Sequence, residues 1–173
     1  MQDECHLLWG DTCGYHWLKR NEKVEIPMTN FRYRQTYYGF LNLFSTEFRL
    51  FPFEKGNDDC TLEFLKKVIK IYPTQRILMI WDGAPYHRSG KIKTFLEEIN
   101  EELTEENWKL TLMKFAPNAP EQNPVEDIWL KGKDFIRKNF KELTTFSKTK
   151  HSFFNAINGM NFNFSKFKWY YSF

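Results

Sequence analysis

A short apolar run that ends in a carboxylate constrains the fold more than any other feature. Ile77 to Trp81 contains five consecutive apolar residues with no polar alternation, a pattern typical of a strand covered on both faces. Asp82 follows directly, and Gly83-Ala84-Pro85 then turns the chain. The sequence therefore predicts a buried strand with Asp82 at its carboxyl end, where functional groups collect in open α/β sheets.

The segments around this strand carry both strand and helix patterns. Alternating aromatic and aliphatic residues predict an antiparallel meander of three short strands, over 15–18, 35–44 and 48–53. Helical spacing marks residues 62–72 and 92–103, a further strand is predicted over 110–115, and a third helix begins with Asn123 as its N-cap. This order predicts an α/β fold in which helices flank a mixed sheet.

Composition limits the class of protein without naming a function. The 173 residues are 42% hydrophobic and 27% charged, as in one ordinary globular domain. A net charge of +3 permits a polyanionic partner such as DNA, but many proteins share that balance. The three cysteines form no C-x-x-C pair, which favours a reducing cytoplasm. No stretch approaches the roughly 20 apolar residues of a membrane helix, so we expect no membrane partner.

Three acidic residues are candidates for binding divalent metal ions. Asp82 lies at the predicted strand end, Glu126 at the third position of the third helix, and Asp3 near the start of the chain. Magnesium prefers oxygen ligands, and phosphodiester chemistry often uses two ions about 3.5–4 Å apart. Such a pair needs several converging carboxylates, whose mutual repulsion becomes favourable coordination when metal binds.

Three blocks around these acids resemble the bacterial insertion-sequence branch of the mariner superfamily of DDE transposases. They are Asp3-Glu4-Cys5 with Gly14-Tyr15-His16-Trp17, then Trp81 to His87, and then Ala116 to Trp129. The family's pattern places an acid at the end of the first strand and an Asp-Asn/Gly-x-x-x-His block after a central strand. A Pro-x-x-x-Pro-x-x-Asn-Pro-Ile/Val-Glu block opens a helix. The last two blocks are specific in combination.

The resemblance implies an RNase H-like fold and a transposase that cleaves and transfers DNA strands. It implies that Asp3, Asp82 and Glu126 are catalytic and bind two Mg²⁺ or Mn²⁺ ions, with His87 and Asn123 in supporting roles. The implied partner is DNA, both transposon ends and target, bound by a homodimer. Because helix-turn-helix modules usually precede this domain in the family, a separate DNA-binding polypeptide is also expected. The expected location is the cytoplasm, in association with the nucleoid.

The resemblance also leads to expectations about boundaries. We expect residues 1–150 to form the catalytic domain and residues 151–173 to be an aromatic, Asn-rich extension of it. No apolar run precedes Asp3, so we expect a truncated first strand. The interval between Asp82 and Glu126 is longer than is usual in the family, and the acidic segment 101–107 is the expected surface insertion.

Each of these features also has a structural interpretation. Glu126 could complete a capping box, Asp82 could serve a turn, and Asp3 could be a solvated chain end. The basic side of the third helix suits either phosphate contacts or a solvated face; its members are Lys131, Lys133, Arg137, Lys138 and Lys141. Two other functions stay open: an inactive or split remnant that only binds DNA or protein, and a stand-alone structure-specific nuclease.

Overall fold

Five strands and four α-helices form the secondary structure of the computed structural model, which describes residues 1–14, 17, 19–23, 25–26, 32–116 and 122–164. The strands are β1 (Gln2–Leu8), β2 (Arg34–Leu41), β3 (Phe48–Phe53), β4 (Ile77–Trp81) and β5 (Leu110–Lys114). The helices are α1 (Asp58–Ile71), α2 (Gly90–Asn100), α3 (Pro124–Lys138) and α4 (Phe146–Ile157). Short 3₁₀ turns occupy Trp9–Thr12, Pro85–Arg88 and Glu105–Asn107.

The strands form an antiparallel sheet and a parallel pair that lie side by side. β1 pairs with β2, and β2 with β3, both antiparallel, with Asp3 opposite Gly39. β4 pairs with β5 in parallel, with Ile77 opposite Leu110. β1 also contacts β4. The start of β1 and the end of β4 are thereby brought close together.

Strand β1 differs from the expected first strand. The family pattern places its acid at the end of that strand, but Asp3 is the second residue of β1 and the strand continues to Leu8. The continuation pairs with β2 along its whole length, and it buries Cys5 and Leu7. Long-range pairing with β2 therefore defines this strand, and no local apolar run predicts its extent.

The strand predicted over residues 15–18 falls mostly outside the described residues. Trp17, its described member, belongs to no strand and is fully exposed. The other two strands of the predicted meander correspond to β2 and β3, with β2 ending at Leu41 before the predicted limit. The meander therefore consists of β1, β2 and β3.

Asparagine side chains cap two of the helices. The side chain of Asn57 caps α1 by accepting a hydrogen bond from the Cys60 backbone N–H. Asn123 caps α3 in the same way through the Val125 N–H, with Pro124 at the first helical position. Ser89 is the N-cap residue of α2, but its side chain makes no capping bond. α3 therefore starts at a well-defined point, which sets the position of every residue along it.

Helices pack on both faces of the strands. One buried cluster joins β1, β2 and β3 to α3 and α4, and the other joins β2, β3, β4 and β5 to α1 and α2. α3 and α4 approach closely at Gly132, where a Cβ atom would lie 2.7 Å from Cε2 of Phe153. The predicted α/β fold with helices flanking a mixed sheet is confirmed.

Strand β4 is buried on one face only, so the expectation that both faces are covered was wrong. Met79 and Trp81 are buried against the α1 and α2 side. On the opposite face Leu78 is 54% exposed and Met113 of β5 is 50% exposed. Ile80 on this face packs against the core beneath α3.

The chain after α4 returns along the free side of β3. Phe48 exchanges backbone hydrogen bonds with Gly159 and Met160, and the Phe162 N–H donates to the Thr46 carbonyl. This pairing covers backbone groups that an edge strand would otherwise leave open. None of the helices in the described part of the chain has the length and hydrophobicity to cross a membrane.

Candidate metal centre

Asp3 is held by a hydrogen bond from helix α3. The indole Nε1 of Trp129 donates to Oδ2 of Asp3 over 3.1 Å. Trp129 can reach this position because its ring lies over Gly39, the residue opposite Asp3 on β2. A Cβ atom at Gly39 would lie 2.5 Å from Cη2 of Trp129. The absence of a side chain at Gly39 thus makes room for Trp129, which orients Asp3.

The electrostatics of Asp3 show that it shares a region with the other two predicted acids. The pKa of Asp3 is raised to about 7, first by burial and then by the negative charges of Glu4, Glu126 and Asp82. Glu126 is exposed near the start of α3. A nearby cation would relieve this repulsion and lower the pKa of Asp3.

Asp82 follows β4 and is held through one oxygen. Its Oδ1 accepts a hydrogen bond from the Ala84 backbone N–H at 2.9 Å and lies 3.0 Å from Nδ1 of His87. These two hydrogen bonds, that of His87 first, lower the pKa of Asp82 and outweigh its partial burial. Because its side chain is 51% exposed, Asp82 presents an ionised carboxylate to solvent.

His87 is a buried ring between two acids. It stacks on Trp81 with ring centroids 4.0 Å apart and an interplanar angle of 2°. Its Nε2 lies 3.1 Å from Oε1 of Glu4, opposite the nitrogen that faces Asp82. Burial lowers the pKa of His87, but the hydrogen bonds to Asp82 and Glu4 raise it to about 9. The ring is therefore protonated at neutral pH and donates from both nitrogens.

Glu4 is the site residue that sequence reasoning missed. Its side chain is only 7% exposed, and it accepts hydrogen bonds from Nε2 of Gln2 and from the hydroxyl of Tyr86. The signal was present, because Glu4 stands beside Asp3 in the block Asp3-Glu4-Cys5. Neighbouring residues of a strand face opposite sides, so an acid after Asp3 points toward the side where His87 lies.

The described acids and histidines do not all gather at one point. Within the described part of the chain, Glu4, Asp82 and His87 form the one group of three whose ligand atoms lie within 4.8 Å of one another. Asp3 and Glu126 are outside that group, although the charges of Glu126 and Asp82 both act on Asp3. The Glu4–Asp82–His87 group is a poor metal site, because the two nitrogens of His87 face different acids and one ion cannot contact both.

Asp3, Asp82 and Glu126 are the better candidates for a hard divalent ion. All three offer carboxylate oxygens, which Mg²⁺ and Mn²⁺ prefer. Besides burial, which is the largest cause, the charges of Glu126 and Asp82 help to raise the pKa of Asp3. Asn123 is buried as the cap of α3 and fixes the start of the helix that carries Glu126.

The basic side of α3 is partly neutralised by acids. Lys133 lies 3.3 Å from Asp11, and Arg137 lies 2.9 Å from Asp134. These two basic side chains are therefore paired with acids of the same domain. The other basic side chains predicted for this face are exposed: Lys131, Lys138 and Lys141.

A mixed sheet flanked by helices, with acids from β1, the end of β4 and the start of α3, defines an RNase H-like domain with a candidate metal centre. Residues 1–147 match the family model of the DDE superfamily endonucleases. The chain belongs to this family, so the resemblance noted in the sequence is confirmed. The search among curated protein sequences found no significant match.

Two solved structures show the same fold. A chain of the simian T-cell lymphotropic virus intasome in complex with PP2A regulatory subunit B56 gamma is 13% identical, with a TM-score of 0.55 over 76% of this chain and 45% of that chain. The Mos1 transposase in its paired-end complex with the left transposon end is 12% identical, with a TM-score of 0.50 over 90% of this chain and 50% of that chain. The chain thus spans about half the length of these proteins.

Proposed function

We propose that this chain is the catalytic domain of a transposase that cleaves DNA strands and transfers their ends with the help of divalent metal ions. The observation that carries the proposal is the electrostatic state of Asp3. Its pKa is about 7 because burial and the charges of other acids, Glu126 and Asp82 among them, act on it together. The charges of acids from two other segments therefore act on the buried Asp3 carboxylate, which supports a cation site shared by the three. Membership of the DDE superfamily endonucleases supports the same reaction class.

In this proposal Asp3, Asp82 and Glu126 hold two Mg²⁺ or Mn²⁺ ions. Bound ions activate the attacking oxygen and stabilise the leaving oxygen of a phosphodiester. The chain's own residues prepare the ligands for this role. Trp129 orients Asp3, while His87 and the Ala84 N–H orient Asp82.

The proposed substrate is DNA, both the transposon ends and the target. The Mos1 structure is a transposase complex with a transposon end, which supports a DNA partner for a domain of the same fold. Lys131, Lys138 and Lys141 are exposed on or just after α3 and provide positive charge for phosphate contacts. A homodimer on DNA and a separate helix-turn-helix polypeptide remain part of the proposal.

A calorimetric Mn²⁺ titration of the wild-type chain and Asp82→Asn tests the proposal, together with a nicking assay on transposon-end DNA. We expect Asp82→Asn to lower the Mn²⁺ affinity at least about tenfold and to abolish nicking. Asp134→Asn is the matched control, because Asp134 lies on α3 but pairs with Arg137. Equal Mn²⁺ affinity and nicking in the wild type and Asp82→Asn would contradict the proposal.

A second candidate is a remnant that binds DNA without cutting it. It is favoured by the finding that Asp3, Asp82 and Glu126 do not form a group with ligand atoms within 4.8 Å of one another. This candidate requires DNA binding that neither Mn²⁺ nor Asp82→Asn affects. The same titration, run beside a DNA-binding assay, separates the two functions.

A further inference from the structure

We propose that Glu4 is a positioning residue of this centre: it holds His87 in place, and His87 in turn holds Asp82. The inference rests on the proposed function, because it concerns the orientation of a proposed metal ligand. It gives a role to a buried acid that lies next to Asp3 in sequence but faces the other side of β1.

Both carboxylate oxygens of Glu4 are occupied by neighbouring side chains. Oε1 accepts a hydrogen bond from Nε2 of Gln2 at 2.9 Å and lies 3.1 Å from Nε2 of His87. Oε2 accepts from the hydroxyl of Tyr86 at 2.8 Å. A buried carboxylate needs such partners to offset its lost hydration. Glu4 thus has a hydrogen-bond partner at each oxygen and acts in this arrangement as a positioning group and not as a metal ligand.

The His87 ring contacts both Glu4 and Asp82 and so links their positions. The ring lies flat against Trp81, which fixes its plane but still allows a flip about the Cβ–Cγ bond. Contacts at both nitrogens remove that freedom, because Nε2 meets Glu4 while Nδ1 meets Asp82. Nδ1 also lies 3.3 Å from the backbone carbonyl of Asp82. Loss of the Glu4 contact would leave the ring anchored at one end only.

The consequence for Asp82 is a defined carboxylate orientation. His87 and the Ala84 N–H both engage Oδ1, and among the described residues Oδ2 makes no hydrogen bond. One oxygen is therefore used for orientation and the other is left for a cation. β1 serves the centre from both faces, since Asp3 points toward α3 and Glu4 toward the 3₁₀ turn Pro85–Arg88.

A double-mutant cycle on Mn²⁺ affinity separates this role from a merely structural one. We expect Glu4→Ala and His87→Ala each to weaken Mn²⁺ binding about 10- to 100-fold. If Glu4 acts through His87, the double variant binds no more weakly than His87→Ala alone. Glu4→Gln keeps the acceptor oxygen and should recover most of the affinity. Wild-type affinity in Glu4→Ala, or fully additive losses in the double variant, would overturn the proposal.

Thr36→Val is the matched control for a general weakening of the sheet. Thr36 is buried on β2 and its hydroxyl lies 3.0 Å from Nδ1 of His6 on β1, and its side chain makes no hydrogen bond to Glu4, His87 or Asp82. We expect this variant to lower stability and to leave Mn²⁺ affinity within about twofold of wild type. A loss as large as that of Glu4→Ala would show that strand stability, and not His87, controls the site.

A metal-free measurement keeps this inference distinct from the proposed function. In ¹⁵N NMR spectra of the His87 ring, we expect sharp nitrogen signals in the wild type and signals broadened by exchange between ring orientations in Glu4→Ala. Unchanged spectra would overturn the positioning role. If the wild-type chain shows no Asp82-dependent Mn²⁺ binding, the proposed function fails, while the NMR comparison still decides what Glu4 does.

Discussion

The indole of Trp129 and the carboxylate of Asp3 are joined by a hydrogen bond of 3.1 Å, although 126 positions separate them in sequence. The bond ties α3, which carries Glu126, to the strand that carries the first acid. It exists because Gly39 leaves room for the indole. The position of the acid therefore depends on a residue that has no functional group of its own.

Gly39→Ala should destabilise the fold and weaken the metal centre. The new Cβ would lie 2.5 Å from both Phe48 and Trp129 ring atoms, so at least one ring must move. We expect a loss of about 1–3 kcal/mol in the free energy of unfolding, measured by urea denaturation with tryptophan fluorescence. Gly90→Ala is the control, because its Cβ would meet nothing within 4 Å. Equal stability of the two variants would contradict the packing described.

Asp3→Asn should stabilise the metal-free protein near pH 8. The folded-state pKa of Asp3 is raised from 3.8 to about 7, so between these values the folded state binds more protons than the unfolded state. Stability from this group is present below pH 3.8 and is lost as pH rises through about 7. We expect a gain of roughly 1–4 kcal/mol near pH 8 and little gain near pH 4, measured by thermal unfolding in a chelator. An equal effect at both pH values would be inconsistent with a raised pKa.

Mn²⁺ affinity should rise with pH because Asp3 must release its proton to bind metal. With a pKa of about 7, we expect the affinity to increase about tenfold for each pH unit below that value and to level off above it. Calorimetric titrations across this range measure the effect. Asp3→Asn should bind weakly with a flatter profile, and a flat profile in the wild type would argue against Asp3 as a ligand.

His87→Gln should reduce the loss of folding stability that accompanies a rise of pH above 6.5. The pKa of His87 is raised from 6.5 to about 9 by its bonds to Asp82 and Glu4, despite its burial. Its contribution to stability is therefore complete below pH 6.5 and disappears as pH rises through about 9. The slope of melting temperature against pH between these values should be smaller in His87→Gln than in the wild type. A slope that stays the same would mean that another group titrates there.

Phe153→Ala tests our proposal that the residues after 150 belong to the catalytic domain. Phe153 of α4 is fully buried and its ring lies 6.2 Å from that of Trp129. We expect a loss of about 3–5 kcal/mol in the free energy of unfolding, together with weaker Mn²⁺ binding through the displaced indole. Phe44→Ala is the control, since Phe44 is 95% exposed, and its stability should change by less than about 0.5 kcal/mol.

The elements that local patterns define were predicted well. β4 occupies the apolar run Ile77–Trp81, and α3 begins at the predicted Asn123 cap. The extent of β1 was not predicted: a truncated strand with Asp3 at its end was expected, whereas long-range pairing with β2 continues the strand to Leu8. The exposure of one face of β4 was not predicted for a related reason, because an apolar run does not reveal which elements will cover the strand.

The sequence by itself determined the family, the fold class and the acids that are candidates for metal binding, because these depend on residue types at short spacings. Only the tertiary structure decided which side chains meet. It placed His87 between Asp82 and Glu4, and it set the indole of Trp129 against Asp3 over Gly39. Contacts of this kind depend on strand register and helix packing, which arise from the whole chain and are not encoded in any single segment.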